Sequence, residues 1–320
     1  MTCRLGVSII NYKTGPLTID CVASVLADLD GLDARVVVVD NASADGSAEA
    51  IEAWIAAQPA PCPVRLIRSP VNSGFSGGHN IGIRAAPAEF HLLLNSDALL
   101  RPGALRALLD AADATPDAGL FGPRIEHEDG TGQTSCFRFP SPASELIAAA
   151  ASGPVTALLR RHDVPLDMPP DPASIDWASF ACILLRGAMV ARIGPMDEGY
   201  FLYFEDAEYC LRARRAGWRV AHVPQARVVH LRGRSGPVKK LSAERTRLPG
   251  YYWASRTRFL YQAHGRSGLL AANLLWWAGR ALAWLRPLSG RPVPRAIDRA
   301  GRDLWTNFLH PLGDRRAPGA

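Results

Sequence analysis

Four carboxylates stand where a fold most readily puts chemistry, at the ends of apolar runs. Asp40 closes ARVVVVD, Asp97 closes EFHLLLNSD after Asn95 and Ser96, and Glu205–Asp206 follows the aromatic run YFLYF and opens EDAEYCLRARRAGW. A carboxylate beside an amide oxygen offers hard oxygen ligands. Mg²⁺ or Mn²⁺ accept such ligands and often complete their shell with substrate phosphates. A carboxylate at the start of a helix is favoured in its ionised form, the form a general base needs. His230 closes a further apolar run and adds an imidazole. Each position also has a structural explanation, since Asp40, Asp97 and Asp206 could each cap a helix and His230 could be a core residue.

These residues need strands and helices to position them. Leu5–Tyr12 and Ala34–Asp40 read as buried parallel strands, VRLIRS and EFHLLLNSD as two more, and helical spacing of apolar residues fills the intervals after Pro16 and Gly46. Strand and helix alternate, which implies a right-handed doubly wound α/β unit. Ligands bind such sheets at the carboxyl ends of the strands, where Asn11, Asp40, Asn41, Asn95 and Asp97 fall. The segment NSGFSGGHNIGIRAA (Asn72 to Ala86) is expected to be a glycine-rich loop that turns into a helix. Residues 207 to 216 are expected to be a short helix with Leu211 and Tyr209 or Cys210 facing inward and Gly217 as its stop. NYKTGPLT lacks the GxGxxG of a dinucleotide site, and no P-loop is present.

Composition narrows the class. The 320 residues are 48% hydrophobic and 21% charged, as in a globular protein of one large or two unequal domains. Net charge is +6, and the basic excess gathers after Arg212, which calls for an anionic partner or surface. Six scattered cysteines without a CxxC pair argue for a reducing compartment, without a zinc site or a disulfide framework. The first residues enter strand-like sequence directly, so no signal peptide is expected.

Taken in order, VSIINY, VVVDNASADGS, NSGFSGGHNIGI, LLLNSD and FLYFEDAEYCLRARRAGW followed by VVH resemble the family-2 inverting glycosyltransferases of the GT-A fold, in particular the rhamnosyltransferase-like branch. The likeness runs from about Leu5 to Ser235. It implies a Rossmann-like mixed α/β sheet flanked by helices, with residues 1–240 as the catalytic domain and 241–320 as a basic, aromatic helical appendage. It also implies transfer of a sugar, plausibly L-rhamnose from dTDP-rhamnose, onto a glycan or polyprenyl-linked acceptor in cell-surface polysaccharide synthesis. By the same resemblance Asp206 is the base with Glu205 beside it. Asn11, Tyr12, Asp40, Asn41, Asn72, Gly74, Phe75, Asn80 and Asn95 shape the nucleotide-sugar site. Asp97 and His230 hold Mg²⁺ or Mn²⁺, with Arg232, Arg234 and Ser235 near the diphosphate. Asn95 stands in the first place of the family's DxD motif, and Phe180 stands where a glycine commonly precedes Ala181.

After Arg245 aromatics and arginines surround an apolar block, Gly268 to Leu285, which Arg280 interrupts. It is short for a bilayer span, and an internal arginine makes spanning costly. An interfacial helix is expected, with Trp276, Trp277, Trp284, Arg266, Arg280 and Arg286 at the headgroups; a helix packed on the catalytic domain is the alternative. The expected location is the cytoplasmic face of the bacterial inner membrane, and no nucleic-acid module is recognisable. Two rival functions remain, a sugar-nucleotide nucleotidyltransferase and a catalytically silent membrane-associated scaffold.

Overall fold

Valine- and leucine-rich runs form strands buried on both faces, as parallel strands covered by helices must be: Val36 to Val39 are all fully buried. The computed structural model describes residues 2–231, 238–313 and 315–317. Its strands are β1 (Cys3–Asn11), β2 (Ala34–Asp40), β3 (Val64–Arg68), β4 (Ala88–Asn95), β5 (Ala98–Leu100), β6 (Ala118–Glu126), β7 (Cys136–Phe137), β8 (Trp177–Ala178), β9 (Cys182–Arg186) and β10 (Arg219–His230). Helices intervene as α1 (Gly15–Asp28), α2 (Ser47–Ala56), α3 (Gly74–Ala85), α4 (Ala104–Ala114), α5 (Pro142–Ala150), α6 (Gly153–Leu158), α7 (Gly187–Ile193), α8 (Glu205–Arg215), α9 (Val238–Ala243), α10 (Gly250–Ala283) and α11 (Ala300–Asp303).

Eight strands form one mixed sheet in the order β3-β2-β1-β4-β9-β6-β10-β5, and β7 pairs with β8 separately. The first four are mutually parallel, while β9 runs antiparallel to β4 and β6. Register aligns the polar strand ends, with Asn11 opposite Asp40 and Ile10 opposite Asn95. The antiparallel β5–β10 pair sets Ala98 opposite His230 and so brings Asp97 to the same edge. The doubly wound unit is as expected from the sequence.

The glycine-rich segment differs from its expectation. Only Asn72 and Ser73 precede α3, and Gly74, Gly77, Gly78 and Gly82 all lie within it. The glycines serve close packing rather than looping. A Cβ on Gly78 would come within 2.8 Å of Ile10 Cδ1, and one on Gly82 would overlap the Ser8 side chain. Helix α3 therefore lies hard against β1, and Ser8 Oγ bonds Nδ1 of the fully buried His79 across that contact at 2.9 Å. Burial with no compensating charge lowers the His79 pKa to about 3.

Helix α8 starts two residues before the expected span and buries both Tyr209 and Cys210, with Leu211 packed partly inward. Helix α10 breaks at Gly265, whose backbone is left-handed (φ 70°). Gly82→Ala is expected to lower stability by about 1–3 kcal/mol through overpacking, read as a shifted urea midpoint. An unchanged midpoint would mean that α3 tolerates a wider spacing from β1.

Candidate active site

Asn11 is fully buried and takes up all its bonding capacity inside the protein. Its amide nitrogen donates to Asp40 Oδ1 at 2.7 Å, Ser47 Oγ at 2.8 Å and Ser43 Oγ at 3.1 Å. Its carbonyl accepts from the Thr14 N–H and from the Thr14 and Thr18 hydroxyls. The result is a pinned Asp40, whose Oδ2 accepts the Ser43 N–H at 3.2 Å and holds the turn after β2. Asn41 joins that turn to the segment before α3: its amide nitrogen donates to Asn72 Oδ1 and the Gly74 carbonyl, and its oxygen accepts from the Ser73 N–H and hydroxyl. Asn80 ties α3 to the chain after α7 through both Met196 backbone groups and Glu198. Tyr12 is exposed, with the Lys13 ammonium over its ring. Phe75 is half-buried and meets His79 edge-on.

Asp97 is fully buried, and His230 Nε2 lies 3.3 Å from its Oδ1. It does not cap α4; the Asp28 carboxylate does that from α1, accepting the Gly103 and Leu105 N–H groups. The Gln133 amide holds the far side of the pair, donating to the carbonyls of Glu126 and His230. Nothing in its run of small polar residues marked it in the sequence. Among the described residues no group of three or more His, Cys, Asp or Glu converges as a metal cage. One carboxylate and one imidazole suit a hard divalent cation that draws its other ligands from phosphates and water. Arg232, Arg234 and Ser235 lie outside the described residues.

The carboxylate pair divides cleanly. Glu205 is buried, its Oε2 has no hydrogen-bond partner among the described residues, and burial together with the Asp206 charge pushes its pKa well up. Asp206 remains part-exposed, with Oδ1 accepting the Ala207 N–H at 2.8 Å. Burial pushes its pKa up to about 6, against backbone hydrogen bonds from its own residue, Ala207 and Phe180. The helix start was expected to favour the ionised form; desolvation outweighs those backbone donors. The outcome suits a base working near neutrality, mostly ionised yet able to hold a proton.

Backbone contacts link the groups. Phe180 bonds Asp206, its neighbour Ala181 accepts the Asn95 N–H at 2.9 Å, and Asn95 lies two residues before Asp97. Across the site, the Phe75 N–H donates to the Phe201 carbonyl at 2.8 Å. Before the acids, Tyr200 and Phe201 belong to the core, whereas Tyr203 is half-buried. The far C-terminus also arrives here, with Arg315 Nη1 donating to the Ser73 carbonyl at 2.7 Å, a contact the sequence did not announce.

The chain is 30% identical over 302 residues to the N-acetylglucosaminyl-diphospho-decaprenol L-rhamnosyltransferase of Mycobacterium tuberculosis, covering 88% of this chain and 92% of that one. The sequence profile of glycosyl transferase family 2 matches residues 7–148. The chain belongs to glycosyl transferase family 2. The low-salt glycan biosynthesis hexosyltransferase Agl10 of Haloferax volcanii is 27% identical over 231 residues, 71% of this chain and 66% of that one. Among solved structures, the mannosyltransferase PcManGT of Pyrobaculum calidifontis, in complex with GDP-Man and Mn²⁺, superposes with a TM-score of 0.57 at 17% identity over 98% of this chain and 85% of that one. TarS residues 1–349 of S. aureus, in complex with UDP, superposes at 0.53 and 14% identity over 97% and 80%. The eight-stranded mixed sheet is the GT-A fold of these glycosyltransferases, and the protein is a glycosyltransferase enzyme.

For this glycosyltransferase the raised Asp206 pKa fixes the sign of a pH effect. With Asp206 proposed as the base, protonation would remove it, so kcat/KM is expected to fall about tenfold per pH unit below about 6. Asp206→Asn is expected to reduce transfer by about 10²–10⁴-fold at pH 8 with unchanged nucleotide affinity. An acid limb centred near 4, or a near wild-type Asp206→Asn, would move the base elsewhere.

Proposed function

We propose that the enzyme transfers L-rhamnose from dTDP-rhamnose, with inversion, to a polyprenyl-linked glycan acceptor at a membrane surface. The observation that carries the reading is the part-exposed Asp206, bonded through the Phe180 backbone to the same strand edge as the Asp97–His230 pair. Asp206 takes the proton of the acceptor hydroxyl as its oxygen attacks the anomeric carbon, and the bond to the diphosphate breaks on the opposite face. Burial and the Asp206 charge push the Glu205 pKa well up, which favours Asp206 as the ionised member of the pair. The Asp40 turn, held by Asn11 and Asn41, cradles the nucleoside, with Tyr12, Asn72, Phe75 and Asn95 around it. Asp97 and His230 would hold Mg²⁺ or Mn²⁺. Such a cation neutralises charge on the departing diphosphate. The sugar assignment draws support from the mycobacterial relative's rhamnosyl transfer to a decaprenyl-diphosphate-linked sugar.

Among the described residues no helix is long and apolar enough to cross a membrane. After its break at Gly265, α10 packs Leu269, Ala272, Asn273 and Gly279 inward, with Gly279 tight against Leu146 and Ala149 of α5. Its other face exposes Leu270, Leu274 and Trp277, and Trp284, Leu285 and Leu288 continue that face. Trp277 is 49% and Trp284 70% exposed. Trp276 instead joins an aromatic cluster, and Arg280 donates to the Ala149 and Pro294 carbonyls. The helix thus has a packed face and an apolar outer face, and the outer one supports attachment to the cytoplasmic side of an inner membrane. Thirteen arginines against three aspartates after residue 244 suit anionic lipid.

Donor choice is tested by incubating purified enzyme with dTDP-rhamnose, UDP-glucose or GDP-mannose and measuring released nucleotide. Release from dTDP-rhamnose alone is expected; turnover of another donor instead would overturn the rhamnose assignment. Chelation by EDTA is expected to abolish turnover, and Asp97→Asn to weaken metal-dependent donor binding at least tenfold by calorimetry; full activity in chelator removes the cation from the mechanism. Leu274→Glu/Trp277→Glu is expected to release the protein from sedimenting phosphatidylglycerol vesicles while leaving nucleotide binding intact. Unchanged sedimentation would clear this face of a membrane role.

A further inference from the structure

A tight turn after β6 returns the chain to the edge that carries Asp97 and His230. Asp129 accepts the Thr131 N–H and hydroxyl, Gly130 is left-handed at φ 83°, and Gly132 bridges antiparallel to Glu126. Gln133 comes next, 3% exposed, with its N–H donating to the Ile125 carbonyl at 2.8 Å. Two residues on, the Ser135 carbonyl accepts the Ser179 N–H at 2.9 Å. The backbone around Gln133 is therefore anchored from both directions.

The Gln133 side chain faces the end of β10. Its Nε2 donates to the Glu126 and His230 carbonyls at 3.0 Å each, and lies 3.2 Å from His127 Nδ1. Only the nitrogen end of an amide can face two carbonyls, which fixes its orientation. Oε1 stands at the other end, buried and without a hydrogen-bond partner among the described residues. A buried oxygen in that state is costly. What glutamine supplies here, and an apolar side chain of its size would not, is the grip on the two carbonyls.

For His230 that grip has a counterpart. The His230–Leu231 peptide is trans, so its C=O and N–H point opposite ways. Gln133 holds the C=O, and the Asp97 carbonyl accepts the Leu231 N–H at 2.9 Å. Before that peptide, the β5–β10 pair sets His230 opposite Ala98. The backbone that carries the imidazole is thus held along the strand and on both sides of the next peptide, with Nε2 3.3 Å from Asp97 Oδ1.

We propose that Gln133 is a positioning residue for the Asp97–His230 pair, holding the imidazole where it can join Asp97 on a divalent cation. It acts through the His230 carbonyl and touches neither cation nor substrate. The inference rests on the metal reading of Asp97 and His230 and adds to it the residue that sets their geometry.

The test titrates Mn²⁺ into full-length enzyme saturated with dTDP and reads free Mn²⁺ by electron paramagnetic resonance, well below the melting midpoint of each variant. Gln133→Met, similar in size but without a donor, is expected to weaken Mn²⁺ binding by about 10–100-fold, as loss of a group behind a metal ligand does. Its dTDP affinity in EDTA is expected to match wild type. In a His230→Ala background the same substitution is expected to add no further loss, because a residue acting through His230 then has nothing to position. Gln133→Asn, one methylene shorter, withdraws the donor from the carbonyls and gives the same reading if the methionine variant does not fold. Unchanged Mn²⁺ affinity would overturn the proposal and leave Gln133 a structural residue. Losses that add to those of His230→Ala, or a loss of dTDP affinity in EDTA, would overturn it in favour of a role independent of His230. Wild type that takes up no Mn²⁺ would overturn the metal reading itself and the positioning role with it.

Discussion

The hydrogen bond from the Phe75 N–H to the Phe201 carbonyl joins the two halves of the site, and much else is arranged around it. It forms because Gly74 adopts φ +71° and because a Cβ there would run into that same carbonyl. Glycine is needed twice over, for the left-handed backbone and for the space. Beyond Phe201 the chain turns through Tyr203 and Phe204, both left-handed at φ 71° and 67°. Such conformations cost roughly 1–3 kcal/mol each and persist only where the surroundings over-determine them. Here the surroundings are a fully buried Tyr200, the anchored Phe201 and the Ser255 hydroxyl, which donates to the Leu202 carbonyl at 3.1 Å. The strained turn delivers Asp206 to the first turn of α8 with its carboxylate part-exposed.

Acids of the scaffold and acids of the site are handled differently. Glu126 is fully buried and held by Arg101 and Arg227, which keep it below the usual carboxylate range despite burial. Asp197 is held likewise by Arg258, and Glu145 pairs with Arg256. At the site, Asp97 faces an imidazole, and backbone groups and a second carboxylate surround Asp206. An arginine on Asp206 would pull its pKa down and weaken it as a base.

The parallel strands were legible in the sequence because valine and leucine runs ending in polar residues have few other uses, whereas Asp206 was singled out by the family resemblance, its place at a helix start being equally that of a cap. The glycine segment misled for a definite reason. Four glycines in nine residues weaken a helix by propensity, yet Ser8 and Ile10 of β1 require a helix without side chains at Gly82 and Gly78. The demand comes from a strand some seventy residues away, and no local pattern carries it. The family resemblance paired Asp97 with His230, and the β5–β10 register is what brings the two within 3.3 Å. Gln133, the Phe180 backbone and Arg315 left no trace because their roles lie in where the chain passes.

The appendage shows how far such long-range demands extend. Before its break at Gly265, α10 places Tyr251 and Trp253 in a cluster with Phe201, and its Arg258 grips Asp197 and the carbonyl of Gly313. After the break the same helix lies on α5 and turns an apolar face outward. The first half therefore braces the strained turn that presents Asp206, and the second half carries the exposed apolar face. Because the chain of α10 runs from the cluster around Phe201 through the break at Gly265 to the packing on α5, the strained turn before Asp206 and the exposed apolar face are carried by neighbouring turns of one segment.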